Sequence, residues 1–179
     1  MKRKFSYSFI PLILLACNVI AGQKKVPLPT PSEPASVQST SPMPDAYSNI
    51  SFTISRIKIQ NGDLFIQLAE EVQRARAKGQ KPFIEFDATW CPPCIAIDAS
   101  IKAKDPLAMK AFEGIYLIRA DVDEWGWGDG KKFKFEAIPV YYKLDDKGYP
   151  TGATVDGGAW NEDIPKNFAP VLDIFFHTP

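Results

Sequence analysis

The sequence predicts an α/β fold, with one central mixed β-sheet and helices on both of its faces. Three observations support this prediction for residues 51–179. Apolar runs typical of strands alternate with amphipathic helical patterns. The last two strands follow each other closely, as in a β-hairpin, so part of the sheet is antiparallel. The chain has 179 residues, of which 45% are hydrophobic, enough for one domain with a buried core.

The first strand and the first helix are predicted from composition and spacing. Residues 51–59, SFTISRIKI, are rich in β-branched side chains and predict a strand. Apolar residues then recur every fourth position over 64–72, which is typical of an amphipathic helix. Asn61 or Asp63 would cap the start of this helix, and Gly79 would end it.

The remaining elements follow in a regular order. They are a buried strand at 81–88, a helix at 95–105, a strand at 115–122, a short helix at 131–137, a hairpin at 139–157 that turns at 145–148, and a terminal helix within 162–176.

The N-terminus has the pattern of an export signal. Three basic residues at 2–4 precede a mostly apolar stretch at 5–16, which is shorter than the roughly 20 residues of a membrane-spanning helix. The stretch ends in Leu-Leu-Ala-Cys at 14–17, which resembles the lipobox of bacterial lipoproteins. We therefore predict a signal peptide at 1–16 and lipidation of Cys17. The alternatives are an ordinary cleaved signal or an uncleaved anchor.

Residues 17–50 are predicted to form a tether. Proline, serine and threonine dominate 23–50, and large apolar residues are sparse. Such a segment cannot bury enough surface to offset the entropy lost on ordering. As a flexible coil its ends would lie ~30 Å apart. This predicts a lipid-anchored protein of the bacterial cell envelope that faces the periplasm or extracytoplasmic space.

The overall charge excludes one class of partner. The 21 basic and 21 acidic side chains balance, and basic residues do not cluster in the domain. A basic patch is the usual electrostatic signature of nucleic-acid binding, so no nucleic-acid partner is expected.

The segment Cys91-Pro92-Pro93-Cys94 carries the chemistry. It stands between a predicted strand and a predicted helix. Structural zinc would need about four ligands, yet the chain has one histidine and no second CxxC motif, so no metal is expected. Two inert core thiols are the plain alternative, but they do not explain this strand–turn–helix position. A dithiol–disulfide pair explains it better.

The predicted position of the pair favours redox chemistry. The thiolate is the reactive form of cysteine, and unpaired N–H groups at a helix N-terminus stabilise it. We therefore expect Cys91 to attack a partner disulfide and Cys94, one turn later and more buried, to resolve the mixed disulfide. The sign of any effect of Pro92 and Pro93 on the redox potential does not follow from their positions.

The pattern F-x-A-x-W-C-P-P-C, with Ile138-Pro139 downstream and the same order of elements, resembles the thioredoxin superfamily over 51–179. The resemblance extends to membrane-tethered bacterial lipoproteins of the TlpA-like branch. It implies a thioredoxin fold and a thiol–disulfide oxidoreductase. The redox group would be the Cys91–Cys94 disulfide itself, with no separate cofactor.

The resemblance also assigns roles to individual residues. Cys91 matches the nucleophile and Cys94 the resolving cysteine, while Trp90 flanks the site. Pro139 matches a cis-proline that faces the disulfide, and Ile138 would offer backbone hydrogen bonds to a bound peptide. We expect the surface around Pro92 and Pro93 to contact the substrate as well.

Glu85 stands six residues before the first cysteine, where many thioredoxins carry a buried acid. The alternation along the strand puts Glu85 on the same face as Phe83, which favours burial over a solvent-facing position. Burial would raise its pKa, and its carboxylate could then take the proton from Cys94.

The partners implied by the resemblance are exported proteins with cysteines or disulfides. We expect a reductase or isomerase, with a membrane thiol reductase as its electron donor. Ile95 stands where thioredoxins often carry a basic residue, and Pro-Pro replaces their Gly-Pro, so the direction of electron flow stays open. A disulfide-forming oxidase and a non-catalytic binding lipoprotein are the alternatives.

The loop at 121–132 combines acids, glycines and two tryptophans. Its acids do not have the spacing of an EF-hand. Trp125 and Trp127 could dock a partner, but simple packing is the favoured interpretation.

Overall fold

A computed structural model of the chain describes residues 51–128 and 130–179. The predicted signal peptide, the lipidation of Cys17 and the tether lie outside the described residues. Among the described residues, no helix is both long and apolar enough to cross a bilayer.

The domain alternates strands and helices as predicted. Its strands are β1 Thr53–Arg56, β2 Lys81–Asp87, β3 Ile115–Asp121, β4 Val140–Leu144 and β5 Pro150–Asp156. Its α-helices are α1 Leu64–Ala77, α2 Pro92–Lys102, α3 Pro106–Ala111, α4 Val122–Trp125 and α5 Pro165–His177. Short 3₁₀ turns occur at Ile59–Asn61 and Gly157–Ala159.

The five strands form one mixed sheet in the order β1-β3-β2-β4-β5. The strands β1, β3 and β2 run parallel, and β4 and β5 are antiparallel to their neighbours. The central strands β2 and β3 are almost entirely buried, as their apolar runs predict. The expected α/β fold with a mixed sheet is therefore confirmed.

Two apolar clusters cover the two faces of the sheet. The first contains the buried face of α1, from Leu68 to Ala75, and also both cysteines of the CxxC motif. The second contains α3, α5 and Ile97 of α2, packed on β2, β3 and β4. Helices therefore lie on both faces, and the redox pair belongs to the core.

The caps explain where α1 begins and ends. The side chain of Asp63 accepts hydrogen bonds from the backbone N–H groups of Phe65 and Ile66. At the other end, Gly79 has φ of +68°, a conformation that glycine adopts without strain. Both predicted helix limits are confirmed, with Asp63 rather than Asn61 as the cap.

The short helix predicted at 131–137 is wrong. That segment is irregular, because Phe133 is fully buried and Phe135 also packs on the first cluster. The hydroxyl of Tyr142 donates to the carbonyl of Lys134 at 2.8 Å, so a side chain satisfies this carbonyl in place of a helix N–H. The structure instead has two short helices elsewhere. Helix α3, which Asp105 caps, lies between α2 and β3, and α4 directly follows β3.

Candidate active site

The CxxC motif lies at the junction of β2 and α2, at the carboxyl end of a central strand. Cys91 is the N-cap of α2, and Pro92 and Pro93 occupy its first turn, where their missing N–H groups cost nothing. The N–H of Cys94 donates to Sγ of Cys91 at 3.3 Å. The two sulfur atoms form a disulfide with an S–S distance of 2.09 Å.

The exposure of the two cysteines differs from the sequence prediction. Cys94 was expected to be the more buried residue, but it is 5% exposed and Cys91 is 1% exposed. Cys91 is covered by the apolar cluster, which includes Ala88 and Val140. Cys94 instead lines a cavity of about 180 Å³ between the start of α2 and the end of β2.

The Ile138–Pro139 peptide bond is cis, as the resemblance implied. Pro139 is buried, and the half-buried side chain of Ile138 packs against the cluster that contains Cys91. Gly157, which the sequence analysis did not include in the site, holds this segment in place. Its N–H donates to the carbonyl of Pro139 at 2.9 Å, and a Cβ on it would lie 3.2 Å from Cδ of Pro139.

The tryptophans near the site have different environments. Trp90 is 53% exposed, and its Nε1–H donates to the carboxylate of Asp123 at 2.8 Å. Trp125 packs on the first cluster, which agrees with the favoured interpretation. Trp127 is exposed, with its ring 6.0 Å from that of Phe135. Trp90 and Trp127 thus offer aromatic surface to solvent.

Three acids of this loop are used within the protein. Asp121 caps α4, Asp123 holds Trp90, and Glu124 pairs with Lys58. Within 51–128 and 130–179, no group of three or more potential ligands could hold a metal ion.

Glu85 is completely buried. One carboxylate oxygen accepts the Nε–H of Arg119 at 2.6 Å, and the other accepts the hydroxyl of Tyr141 at 2.8 Å. Burial raises the pKa of Glu85 above its usual value, although Arg119 and Tyr141 act in the opposite direction. The predicted burial is confirmed, while the predicted proton transfer from Cys94 stays a prediction.

Arg119 connects several acids beneath the site. It lies beside Glu85 in the register of β2 and β3, and its Nη2 is 2.7 Å from a carboxylate oxygen of Asp98 on α2. Burial alone would lower the pKa of Arg119, but the charges of Glu85 and Asp98 outweigh burial and raise it, so the guanidinium stays ionised.

A second arginine completes the network. Arg56 forms two hydrogen bonds with the buried carboxylate of Asp87, at 2.8 and 2.5 Å. The sequence analysis missed Arg56, Asp87, Asp98 and Arg119. A charged residue inside an apolar strand was the available signal, since Arg119 interrupts IYLIRADV just as Glu85 interrupts KPFIEFDA.

The Glu85–Arg119 pair generates a stability prediction. In Arg119→Met, the free energy of unfolding should fall by about 3–5 kcal/mol at neutral pH, because Glu85 stays buried without its counter-charge. Urea unfolding monitored by circular dichroism measures this change. The double variant Glu85→Gln/Arg119→Met should recover much of the loss, and equal instability of both variants would contradict the prediction.

The same variant should show a distinct pH dependence. A carboxyl group with a raised pKa binds its proton more readily in the folded chain than in the unfolded chain. Its contribution to stability is therefore present below the unfolded pKa of about 4.3 and is lost as pH rises through the folded value. Without Arg119 this loss should be larger, so Arg119→Met should approach native stability as the pH falls towards about 4.

Comparison with known proteins identifies thioredoxins that are similar to this chain. No protein-family model matches the chain. A thioredoxin H-type of Oryza sativa subsp. indica is 31% identical over 96 residues, which cover 52% of this chain and 70% of that protein. Thioredoxin H5 of Arabidopsis thaliana is 35% identical over 72 residues, which cover 40% of this chain and 57% of that protein.

Solved structures were also compared. Oxidised thioredoxin O1 of Arabidopsis thaliana gives a TM-score of 0.36 at 19% identity and covers 59% of this chain and 86% of that one. The reduced thioredoxin pre-protein of Schistosoma mansoni gives 0.40 at 21% identity and covers 69% of this chain and 95% of that one.

The match to the rice protein decides the family, because it exceeds 30% identity over more than two thirds of that protein. The redox-active group of this family is a disulfide within the protein itself, and its members need no cofactor. The chain belongs to the thioredoxin family of thiol–disulfide oxidoreductases.

Proposed function

We propose that this chain reduces or isomerises disulfides of exported proteins through Cys91-Pro92-Pro93-Cys94, while lipid-anchored in the bacterial cell envelope. The observation that carries the redox proposal is the Cys91–Cys94 disulfide at the N-terminus of the 11-residue helix α2. The disulfide supplies the redox pair, and the helix N-terminus supplies the field that favours a thiolate on Cys91.

The reaction starts from the reduced pair. The thiolate of Cys91 attacks one sulfur of a substrate disulfide, forms a mixed disulfide with it and releases the other sulfur as a thiolate. The N–H of Cys94, which donates to Sγ of Cys91, stabilises the attacking charge. Cys94 then loses its proton and attacks Cys91, which frees the second substrate thiolate. Two electrons have passed from the cysteine pair to the substrate.

The substrate peptide would lie along the surface between Trp90 and the cis Ile138–Pro139 step. Trp90 is half exposed, and the half-buried Ile138 packs against the core cluster that contains both cysteines. Pro92 and Pro93 border this surface at the start of α2. We propose that backbone groups of Ile138 bind an extended peptide next to the cysteine under attack.

The activity of the redox pair can be tested directly. The full chain should reduce insulin in the presence of dithiothreitol, as insulin precipitation measures. Cys91→Ser should abolish the acceleration, because no nucleophile remains for the first attack. Cys94→Ser should accumulate a mixed disulfide with the substrate, visible by mass spectrometry under non-reducing conditions. Equal turnover by the native chain and Cys91→Ser would contradict an enzymatic role and favour a binding protein.

The redox potential decides the direction of electron flow. A reductase or isomerase needs an electron donor, for which we propose a membrane thiol reductase. We expect the Cys91–Cys94 pair to have a potential well below about −120 mV, the value of the strong oxidant DsbA. Equilibration with glutathione buffers, quantified by thiol alkylation, measures it. A potential near the DsbA value would instead make the chain an oxidase.

The location in the envelope is supported by sequence alone. A basic start, a short apolar stretch and Leu-Leu-Ala-Cys at 14–17 are the features of a lipoprotein signal. Anchoring through more than one acyl chain on Cys17 would be firm, since one chain alone binds membranes only marginally. The segment at 17–50 would hold the domain away from the bilayer and leave the cysteines accessible.

Lipidation of Cys17 can be tested by metabolic labelling. The native full chain, expressed in a bacterium, should incorporate labelled palmitate and partition with the membrane fraction. Cys17→Ala should lose the label, because the acylated sulfur is gone. Cys94→Ala is the matched control, since it removes a different cysteine and should keep the label. Palmitate that persists in Cys17→Ala would contradict the proposal.

A further inference from the structure

We propose that Asp98 accepts the proton of Cys94 when this cysteine resolves the mixed disulfide. The inference deepens the proposed function and rests on it. It gives Asp98 the role that the resemblance assigned to Glu85. Three observations support it: the shared cavity, the occupation of the other carboxylates, and the charge of the cluster.

Cys94 and Asp98 line the same cavity of about 180 Å³. They lie four residues apart on α2, so they occupy one face of the helix with Cβ atoms about 6 Å apart. Thr89 and Ile95, which also line the cavity, are exposed, and therefore solvent reaches it. A cavity of this size with the charged side chains of Arg56, Asp87 and Asp98 in its lining admits water, which can carry a proton between the thiol and the carboxylate.

The other nearby carboxylates are already occupied. Glu85 is fully buried, with one oxygen bound to Arg119 and the other to Tyr141, and it does not line the cavity. Asp87 lines the cavity, but both of its oxygens accept hydrogen bonds from Arg56.

Asp98 differs from both of these acids. Its side chain is 37% exposed, and the described residues pair only its Oδ1, which lies 2.7 Å from Nη2 of Arg119. Its Oδ2 is therefore without a partner among the described residues, in a side chain that lines the cavity.

The charge of the cluster favours uptake of a proton. Four carboxylates, those of Glu85, Asp87, Asp98 and Asp121, surround two guanidinium groups, those of Arg56 and Arg119. Because carboxylates outnumber guanidinium groups in this cluster, it attracts a proton that Cys94 releases beside it. Asp98 is the member that lines the cavity and has an oxygen without a partner within residues 51–128 and 130–179, so the proton enters the cluster there.

The S–H proton of Cys94 passes to the Asp98 carboxylate, and the resulting thiolate attacks Sγ of Cys91. The Cys91–Cys94 bond forms, and the bond between Cys91 and the substrate sulfur breaks. The substrate sulfur leaves with the electron pair of the broken bond and takes up a proton from solvent, while Asp98 returns its proton to water in the cavity.

The reaction of the reduced full chain with dithiobis(nitrobenzoate), in a Cys17→Ala background that removes the third thiol, separates the two attacks. Stopped-flow absorbance shows one thionitrobenzoate released as Cys91 attacks, at a rate proportional to reagent concentration. A second thionitrobenzoate is released as Cys94 attacks the mixed disulfide, at a rate that does not depend on reagent concentration. In Asp98→Asn the second phase should slow about tenfold to a hundredfold, while the first phase keeps its rate.

A pH profile distinguishes proton transfer from a structural role. Without an acceptor, the second phase depends on the free thiolate of Cys94 and should rise about tenfold per pH unit between about pH 6 and about pH 8. The native chain should show a shallower rise. Asp98→Glu keeps a carboxylate on the same helix face and should restore most of the rate. The control Glu113→Gln removes an exposed acid just before β3, at the opposite end of the strand from Asp121.

The outcomes are distinct. Slowing of the second phase in Asp98→Asn with a steeper pH profile and rescue by Asp98→Glu would support the proposal. An unchanged second phase in Asp98→Asn, or a larger effect in Glu85→Gln, would overturn it while leaving the redox function intact. Absence of the first phase in the native chain would overturn the proposed function itself.

Discussion

The buried ion pair between Glu85 and Arg119 is the constraint on which the site depends. It joins the two central strands β2 and β3, and the hydroxyl of Tyr141 extends it to β4. Two opposite charges can lie in this core only because each is paired and hydrogen-bonded. Their presence brings α2 into the same network through Asp98, so the helix that carries Cys94 is tied to the sheet by charge as well as by apolar packing.

Two loops that are distant in sequence complete the site around this centre. The cis Ile138–Pro139 step enters β4, and Gly157 just after β5 supports it through the N–H donated to Pro139. Because β4 pairs with β2 in antiparallel fashion, the cis Ile138–Pro139 step lies near the carboxyl end of β2, where the chain leads into Cys91. The redox pair therefore packs on the apolar first cluster, against which Ile138 also packs, while Cys94 also lines the cavity that contains Asp87 and Asp98.

Much of the fold was predictable because its signals are local. The four-residue spacing over 64–72, the cap at Asp63 and the apolar run of β2 each act within one element, and the structure confirms them. The segment 131–137 was mispredicted as a helix because its apolar pattern serves separate contacts of Phe133 and Phe135 with the core. Such tertiary contacts override local propensity, and periodicity alone does not distinguish the two cases.

The sequence by itself determined the redox pair, since a CxxC motif at a strand–helix junction needs only local geometry to place Cys91 at a helix N-terminus and Cys94 one turn later. The tertiary structure alone decided the surroundings of that pair. It made Cys94 the more exposed cysteine, engaged both oxygens of Glu85, and brought Asp98 to the network of Arg119. These relations depend on strands and helices that pair across the fold, and no spacing within one segment encodes them.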